Sequence, residues 1–172
     1  MCIRDRPIII DNFLPAQEFA SLQKHLLSME FPWYYSPHVA KKTEKKSLNS
    51  YMIHVFFDEL RYWTNNAGVL NPIYKRLGRS LRGLIRVKAN LYPYSPKLCI
   101  HPAHVDYPFT HKASLLYLNT NNGYTKLTAG PWKGTKIKSI ANRCVTFDGS
   151  TPHSSTTCTD QKVRINIGIN YF

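Results

Sequence analysis

Long apolar runs are absent from this sequence. No stretch approaches the roughly 20 residues that a helix needs to cross a bilayer, so no membrane partner is expected and the chain should be soluble. Cysteine is sparse. Cys2, Cys99, Cys144 and Cys158 show neither C-x-x-C spacing nor the density of a disulfide framework. That pattern argues against a structural zinc site and for free thiols in a reducing, cytoplasmic compartment. Internal repeats and low-complexity tracts are missing too. Residues 1–6, Met1 to Arg6, lack the apolar core of a secretory signal and stand apart from the pattern that begins at Pro7. They are expected to be disordered or extraneous, leaving 7–172 as a single domain.

Acidic residues are few, 10 Asp and Glu against 23 Lys and Arg, for a net charge of +13. The basic residues concentrate in Lys41-Lys42-Thr43-Glu44-Lys45-Lys46 and from Lys75 to Lys88, where Arg76, Arg79, Arg82 and Arg86 also lie. Two readings stay open: a surface for an acidic partner such as nucleic acid, or a solvated, solubilising face. Hydrophobic content of 43 % with 13 % aromatic residues is that of a globular chain. Its 172 residues suffice for one domain burying on the order of 70 % of the surface its unfolded form exposes.

Pro7-Ile8-Ile9-Ile10 reads as a short strand ended by Asp11-Asn12, and Pro15 opens a helix over 15–29 with Phe19, Leu22, Leu26 and Leu27 on one side. Phe31-Pro32-Trp33-Tyr34-Tyr35 is expected in the core. Ser50 to Phe57 suggests a strand and Ala67 to Leu81 a helix, interrupted or closed at Gly78. From Leu84 the period changes to two: Ile85, Val87, Ala89 and Leu91 alternate with Arg86, Lys88, Asn90 and Tyr92. Further strands are expected over Leu98 to Asp106, Ala113 to Asn119, Tyr124 to Thr128, Thr135 to Ile140, Cys144 to Phe147 and Val163 to Tyr171. Many short strands separated by Gly, Pro, Asn or Asp predict an antiparallel sandwich or jelly roll with an N-terminal helical layer.

One constellation carries chemistry. His104-Val105-Asp106 places an imidazole and a carboxylate two residues apart, so that a strand would aim both the same way. Chance alone yields such a tripeptide in roughly one of four chains of this composition, so its context must decide. His153 follows at a separation of 153 − 104 = 49, where the apolar run to Phe147 gives way to Asp148-Gly149-Ser150-Thr151-Pro152. Two imidazoles and one carboxylate on one face of a metal form the triad of non-haem iron sites. Arg164 lies 164 − 153 = 11 residues further, and a returning hairpin would bring its planar guanidinium to the pocket floor, where it can hold a carboxylate through paired hydrogen bonds.

In this order the residues resemble the Fe(II)- and 2-oxoglutarate-dependent dioxygenases. Leu116-Tyr117-Leu118-Asn119 is similar to the Y-L-N strand after H-x-D in prolyl-hydroxylase-like members, and Val145-Thr146-Phe147 to the strand before the distal His. The resemblance runs from Ile8-Ile9-Ile10-Asp11-Asn12-Phe13-Leu14 to Asn170-Tyr171-Phe172 and is nearest to small stand-alone oxygenases of bacteriophages and environmental bacteria. It implies a mainly β fold, the double-stranded β-helix or cupin-like jelly roll, with an N-terminal α/β layer. It implies Fe(II) on His104, Asp106 and His153, and 2-oxoglutarate as co-substrate with its distal carboxylate on Arg164 and with Tyr92, Tyr117 and Asn166 nearby. The implied reaction consumes O2 and converts 2-oxoglutarate to succinate and CO2 while oxidising a second substrate, a peptidyl-prolyl or amino-acid-like molecule being favoured.

Departures from the family pattern refine this. Asn122-Gly123-Tyr124-Thr125 stands where members often carry G-G-x-T. Halogenating relatives lack the carboxylate that Asp106 supplies here, which favours hydroxylation. The nucleic-acid demethylase branch usually has a second Arg six residues after the first, where this chain has Asn170. A nucleic-acid-directed oxygenase or basic nucleic-acid binder is thus the alternative, and a non-catalytic cupin-like binding module a further one. His101 is expected outside the metal shell or at the surface. His25, His38, His54 and His111 should be structural or exposed, and Tyr94, Tyr107 and Trp132 either line a cleft or fill the core.

Overall fold

Alternation along two long strands organises the molecule. The computed structural model describes residues 6–39 and 50–172; the run Lys41 to Lys46 and the first five residues lie outside the described residues. In chain order the strands are β1 (Ile8–Ile10), β2 (Tyr34–Ser36), β3 (Tyr51–Asp58), β4 (Arg61–Tyr62), β5 (Leu84–Pro93), β6 (Lys112–Tyr117), β7 (Tyr124–Leu127), β8 (Lys136–Lys138), β9 (Cys144–Asp148), β10 (His153–Ser155) and β11 (Val163–Tyr171). Helix α1 (Ala16–Leu26) follows β1, and α2 (Asn71–Leu77) precedes β5.

Among the described residues the larger sheet runs β1-β9-β6-β11-β5-β3-β2, with β4 paired to β3, and the smaller runs β10-β7-β8. Every pairing between these strands is antiparallel. The expected jelly roll with an N-terminal helical layer is the observed fold.

The larger sheet has two differently used faces. On one, Val87 and Ala89 of β5 and Ile165, Ile167 and Ile169 of β11 pack with Leu22, Leu26, Ile73 and Leu77 of the two helices. The period-two apolar set and the helical apolar set thus meet in one core. On the other face, Ala113, Tyr117, Val145 and Phe147 pack against Leu127 and Ile137 of the smaller sheet. Beside this second core, polar alternates of β5 and β11 line a cavity between the two sheets.

Four expectations change. The helix foreseen over Ala67 to Leu81 is divided into a 3₁₀ segment Asn65–Leu70, α2 and a second 3₁₀ turn Gly78–Ser80. Pro72 in the first turn has no N–H and would clash with a preceding helical turn, while Gly78 leaves α2 at φ +55°. No strand forms over Leu98 to Asp106; isolated bridges join Ile100 to Thr156 and His104 to His153. Pro102 lacks the donor that a continuous ladder needs there. Of the aromatic run, Phe31 is buried, but Tyr34 and Tyr35 are 60 % and 67 % exposed because β2 is an edge strand. Arg86 and Lys88, grouped by sequence with a basic surface stretch, instead face the inter-sheet cavity.

Among the described residues no helix is long and apolar enough to cross a membrane. Cys99, Cys144 and Cys158 are free thiols, and burial pushes Cys144 up to about 12.

One asparagine fastens the N-terminal layer to the sheet. Asn142 sits at φ +60°. Its side chain accepts from Leu14 N (2.9 Å) and donates to Leu14 O (2.8 Å), while its backbone O accepts from Phe13 N (2.9 Å). Replacing it with alanine would leave two buried backbone groups unpaired and put a Cβ-bearing residue without local hydrogen bonding in the left-handed region. Asn142→Ala is expected to lower stability by about 3 kcal/mol, read as a shift in the urea midpoint with unchanged slope.

Candidate metal centre and its cavity

The site is assembled by backbone pairing between distant segments. His104 N donates to His153 O and His153 N to His104 O, each at 2.9 Å. This reciprocal bridge holds the two imidazoles with ring centroids 4.6 Å apart. Asp106 completes the group: ligand atoms of His104, Asp106 and His153 all lie within 4.8 Å of one another. The sequence spacing read as one strand edge is realised by a single bridge, and it still turns both side chains of His104-Val105-Asp106 to the same place.

Hydrogen bonds prepare these groups as ligands. His153 Nδ1 lies 3.0 Å from Thr151 O. A carbonyl can only accept, so Nδ1 is the donor, and Nε2 faces Asp106 Oδ2 at 3.9 Å. Burial, the neighbouring His153 and other charges bring His104 down to about 4, so its imidazole is neutral at physiological pH. Burial opposes the charge on Asp106, but His153, Arg86 and Asn170 outweigh it and hold the carboxyl below its ordinary range. Two imidazoles and one carboxylate fit a divalent first-row metal such as Fe(II).

Sequence reasoning missed the apparatus that holds Asp106. Its Oδ1 accepts from Arg86 Nη2 and its Oδ2 from Asn170 Nδ2, both at 2.8 Å. Asn170 Nδ2 also lies 3.1 Å from His111 Nε2, whose ring partner Nδ1 is 2.9 Å from Phe109 O. The carbonyl fixes the His111 proton on Nδ1, so Nε2 accepts the second Asn170 hydrogen. His111 is buried, as a structural histidine should be, but its partner Asn170 leads to Asp106. Gly149 makes room for it: a Cβ there would fall 2.1 Å from His111 Nε2. The Asp-Gly turn was visible in sequence, the contact was not.

Arg164 is completely buried on β11. Its Nε donates to Ser139 Oγ (2.7 Å), Nη1 to Thr156 O (3.3 Å) and Nη2 to Thr125 Oγ1 (3.2 Å). The guanidinium carbon is 5.1 Å from the Tyr92 ring centroid and 5.6 Å from that of Tyr117. Among the described residues no carboxylate forms an ion pair with it. Gly123 lets the chain cross over its stem, since a Cβ would come 2.6 Å from Arg164 Cδ.

Tyr92, Thr125 and Asn166 line the inner cavity, about 50 Å³ in volume, whereas Arg164 and Tyr117 stand just behind that wall. Asn166 is held by Asn90 Nδ2 at 2.9 Å. The phenol of Tyr117 donates to Thr125 Oγ1 at 2.8 Å, and burial raises the phenols of both Tyr92 and Tyr117. All seven residues singled out by sequence therefore gather around one cavity, in two layers.

The remaining aromatic and histidine expectations divide. His101 is buried, not at the surface: it stacks on Tyr92 at 5.2 Å and pairs with Ser155 Oγ at 2.8 Å. Tyr107 packs under Arg86, Trp132 joins the second core, and Tyr94 is 55 % exposed.

No family model matches the chain, and no curated protein matches it. Solved structures do. An oxidoreductase of the 2OG-Fe(II) oxygenase family from Burkholderia pseudomallei superposes with a TM-score of 0.70 at 12 % identity, over 95 % of this chain and 84 % of that one. A prolyl hydroxylase from Trichoplax adhaerens, in complex with a hypoxia inducible factor oxygen degradation domain peptide fragment, gives 0.67 at 18 % identity over 96 % and 83 %. The epimerase SnoN, in complex with Fe3+, alpha ketoglutarate and nogalamycin RO, gives 0.64 at 13 % identity over 97 % and 78 %. The chain has the fold of the 2-oxoglutarate-Fe(II) oxygenases, prolyl hydroxylases among them.

Two predictions follow from the site. Burial, with Arg164 and His104 adding, holds His101 at about 4 against an ordinary 6.5, as burial chiefly does for His104. The unfolded chain takes up these protons from pH 6.5 downward while the fold resists them. Their contribution to stability is complete above about pH 6.5 and disappears as pH falls towards 4. Thermal melts of metal-free protein should show this loss, with a shallower slope in His101→Asn. Gly149→Ala should displace His111 from Asn170 and weaken zinc binding by roughly 10- to 100-fold, measured by calorimetric titration.

Proposed function

We propose that this chain is an Fe(II)- and 2-oxoglutarate-dependent dioxygenase, most simply a hydroxylase, acting on a peptidyl-prolyl or amino-acid-like substrate. The observation that carries this reading is the pairing of two features: the His104-Asp106-His153 cluster, with ligand atoms within 4.8 Å of one another, and the buried cation Arg164, which has no carboxylate partner among the described residues. A buried guanidinium without a counter-charge is costly. A dicarboxylate co-substrate reaching in from the metal would supply that charge.

In this reading His104, Asp106 and His153 would hold Fe(II), which would supply the oxidising chemistry that consumes O2. Arg164 has five N–H donors and uses three in the contacts described, leaving two for the distal carboxylate. Tyr92 and Tyr117 shield it from water, and Asn90 and Asn166 offer amides along the inner limb. That limb is narrow, so a five-carbon diacid enters with rearrangement of the side chains around Tyr92, Asn90 and Asn166. Asn170 and His111 keep the Asp106 carboxylate oriented throughout. A nucleic-acid-directed oxygenase is less well supported, because Asn170 is committed to Asp106 and His111 rather than replaced by an arginine facing the cavity.

Purified protein with Fe(II), 2-oxoglutarate and O2 is expected to form succinate, and His104→Ala or Asp106→Ala to abolish it. Undiminished succinate formation in both variants would refute the assignment. Arg164→Ala should raise the 2-oxoglutarate requirement by at least about ten-fold, from the loss of charge-assisted hydrogen bonds, while zinc binding persists.

A further inference from the structure

The cavity has two limbs that meet at the candidate metal centre, and their chemistry differs. The inner limb, lined by Tyr92, Asn90 and Asn166, is the one just assigned to the co-substrate. The outer limb is far larger, about 460 Å³, and shares with the inner only Val39, Arg86, Lys88, His104 and Asp106. The rest of its wall is Ala103, Val105 and Pro152. Val39, Ala103, Val105 and Pro152 give it an apolar side and Arg86, Lys88, His104 and Asp106 a polar one, and a pocket of this volume with converging polar groups suits a small molecule.

Its charges do not cancel. Arg86 is matched by Asp106 at 2.8 Å. Lys88, facing the same space from β5, donates to the neutral Tyr51 Oη at 3.0 Å, with its ammonium 5.4 Å from the Tyr51 ring centroid. Among the described residues no carboxylate lies within ion-pair distance of Lys88. Across the strand pair its partner is Gly168, so no side chain from β11 fills the space opposite. Burial, with Arg86 adding, lowers Lys88 to about 8, which still leaves it mainly an ammonium at neutral pH. Of its three donors, two are not used by Tyr51.

We propose that the outer limb binds the second substrate as a small anion, an apolar body bearing one carboxylate or phosphate, anchored by Lys88 Nζ with Arg86 alongside. This rests on the oxygenase function proposed above, in which Arg164 takes the co-substrate and leaves Lys88 to the second substrate, and it selects a small acid-bearing molecule over a peptidyl-prolyl chain. The apolar wall then contacts the body of that substrate next to the metal ligands, and Tyr51 holds the ammonium in place.

Three probes with one apolar tail test it: butyrate, butyl phosphate and butyramide. Zinc and then 2-oxoglutarate are titrated into the full chain, and the probes are titrated by calorimetry into the loaded, turnover-free protein. At least one anion is expected to bind about ten-fold or more tightly than the amide, and the tighter of the two identifies the head group. Lys88→Met should bring that ratio close to one with zinc and 2-oxoglutarate isotherms unchanged, and Lys88→Arg should keep it. Equal affinity for all three probes, no measurable anion binding, or a ratio that survives Lys88→Met overturns the proposal. Loss of 2-oxoglutarate affinity in Lys88→Met also overturns it, by moving Lys88 to the inner limb. Failure of the unaltered protein to bind zinc or 2-oxoglutarate refutes the oxygenase reading itself, at a separate step, and this inference with it.

Discussion

The antiparallel register between β5 and β11 is the constraint on which the site depends. Tyr92 pairs with Arg164, Asn90 with Asn166, Lys88 with Gly168 and Arg86 with Asn170. Directly opposed residues share a face of the sheet, so this ladder lays out the cavity from the buried guanidinium to the Asp106 contacts. The intervening residues, Val87, Ala89, Ile165, Ile167 and Ile169, are the apolar core beneath the helices. A slip by one residue would exchange the two sets, burying charge under α1 and α2 and emptying the cavity of its polar groups. Stability and chemistry are therefore fixed by the same pairing.

Electrostatics divides that cavity. Arg164, Lys88 and Arg86 are three cations spread along it, and among the described residues Asp106 is the one carboxylate that lines it. Arg86 neutralises Asp106, while the other two are surrounded by hydroxyls, a carbonyl and phenol rings. Such groups can solvate a cation without cancelling its charge. The surplus positive charge thus forms no ion pair among the described residues and lies along the cavity, a feature distinct from the overall charge of +13.

Much of this was legible in the sequence because it rests on local periodicity. The alternation from Ile85 to Tyr92 gave both faces of β5, and the order His104, Asp106, His153, Arg164 gave the residues that converge. What escaped depended on contacts between distant segments. Arg86 and Lys88 were read among neighbours in sequence, whereas their partners Asp106 and Tyr51 come from other elements. Asn170 and His111 are 59 residues apart and meet only through the sheet. Gly123 and Gly149 matter for what passes over them, Arg164 and His111, which no local pattern records. The failed strand at Leu98 to Asp106 shows the reverse: its apolar content was visible, but Pro102 leaves only isolated bridges.

The bridge between His104 and His153 has a thermodynamic consequence. It closes a stretch of 49 residues, and the unfolded chain has no means of keeping those imidazoles beside Asp106. Any ion captured there binds the closed roll and not the open chain, so its binding free energy is added to the folding equilibrium as RT ln(1 + [L]/Kd). The protein's melting temperature would then follow metal availability, and the folded fraction in a cell would report on it.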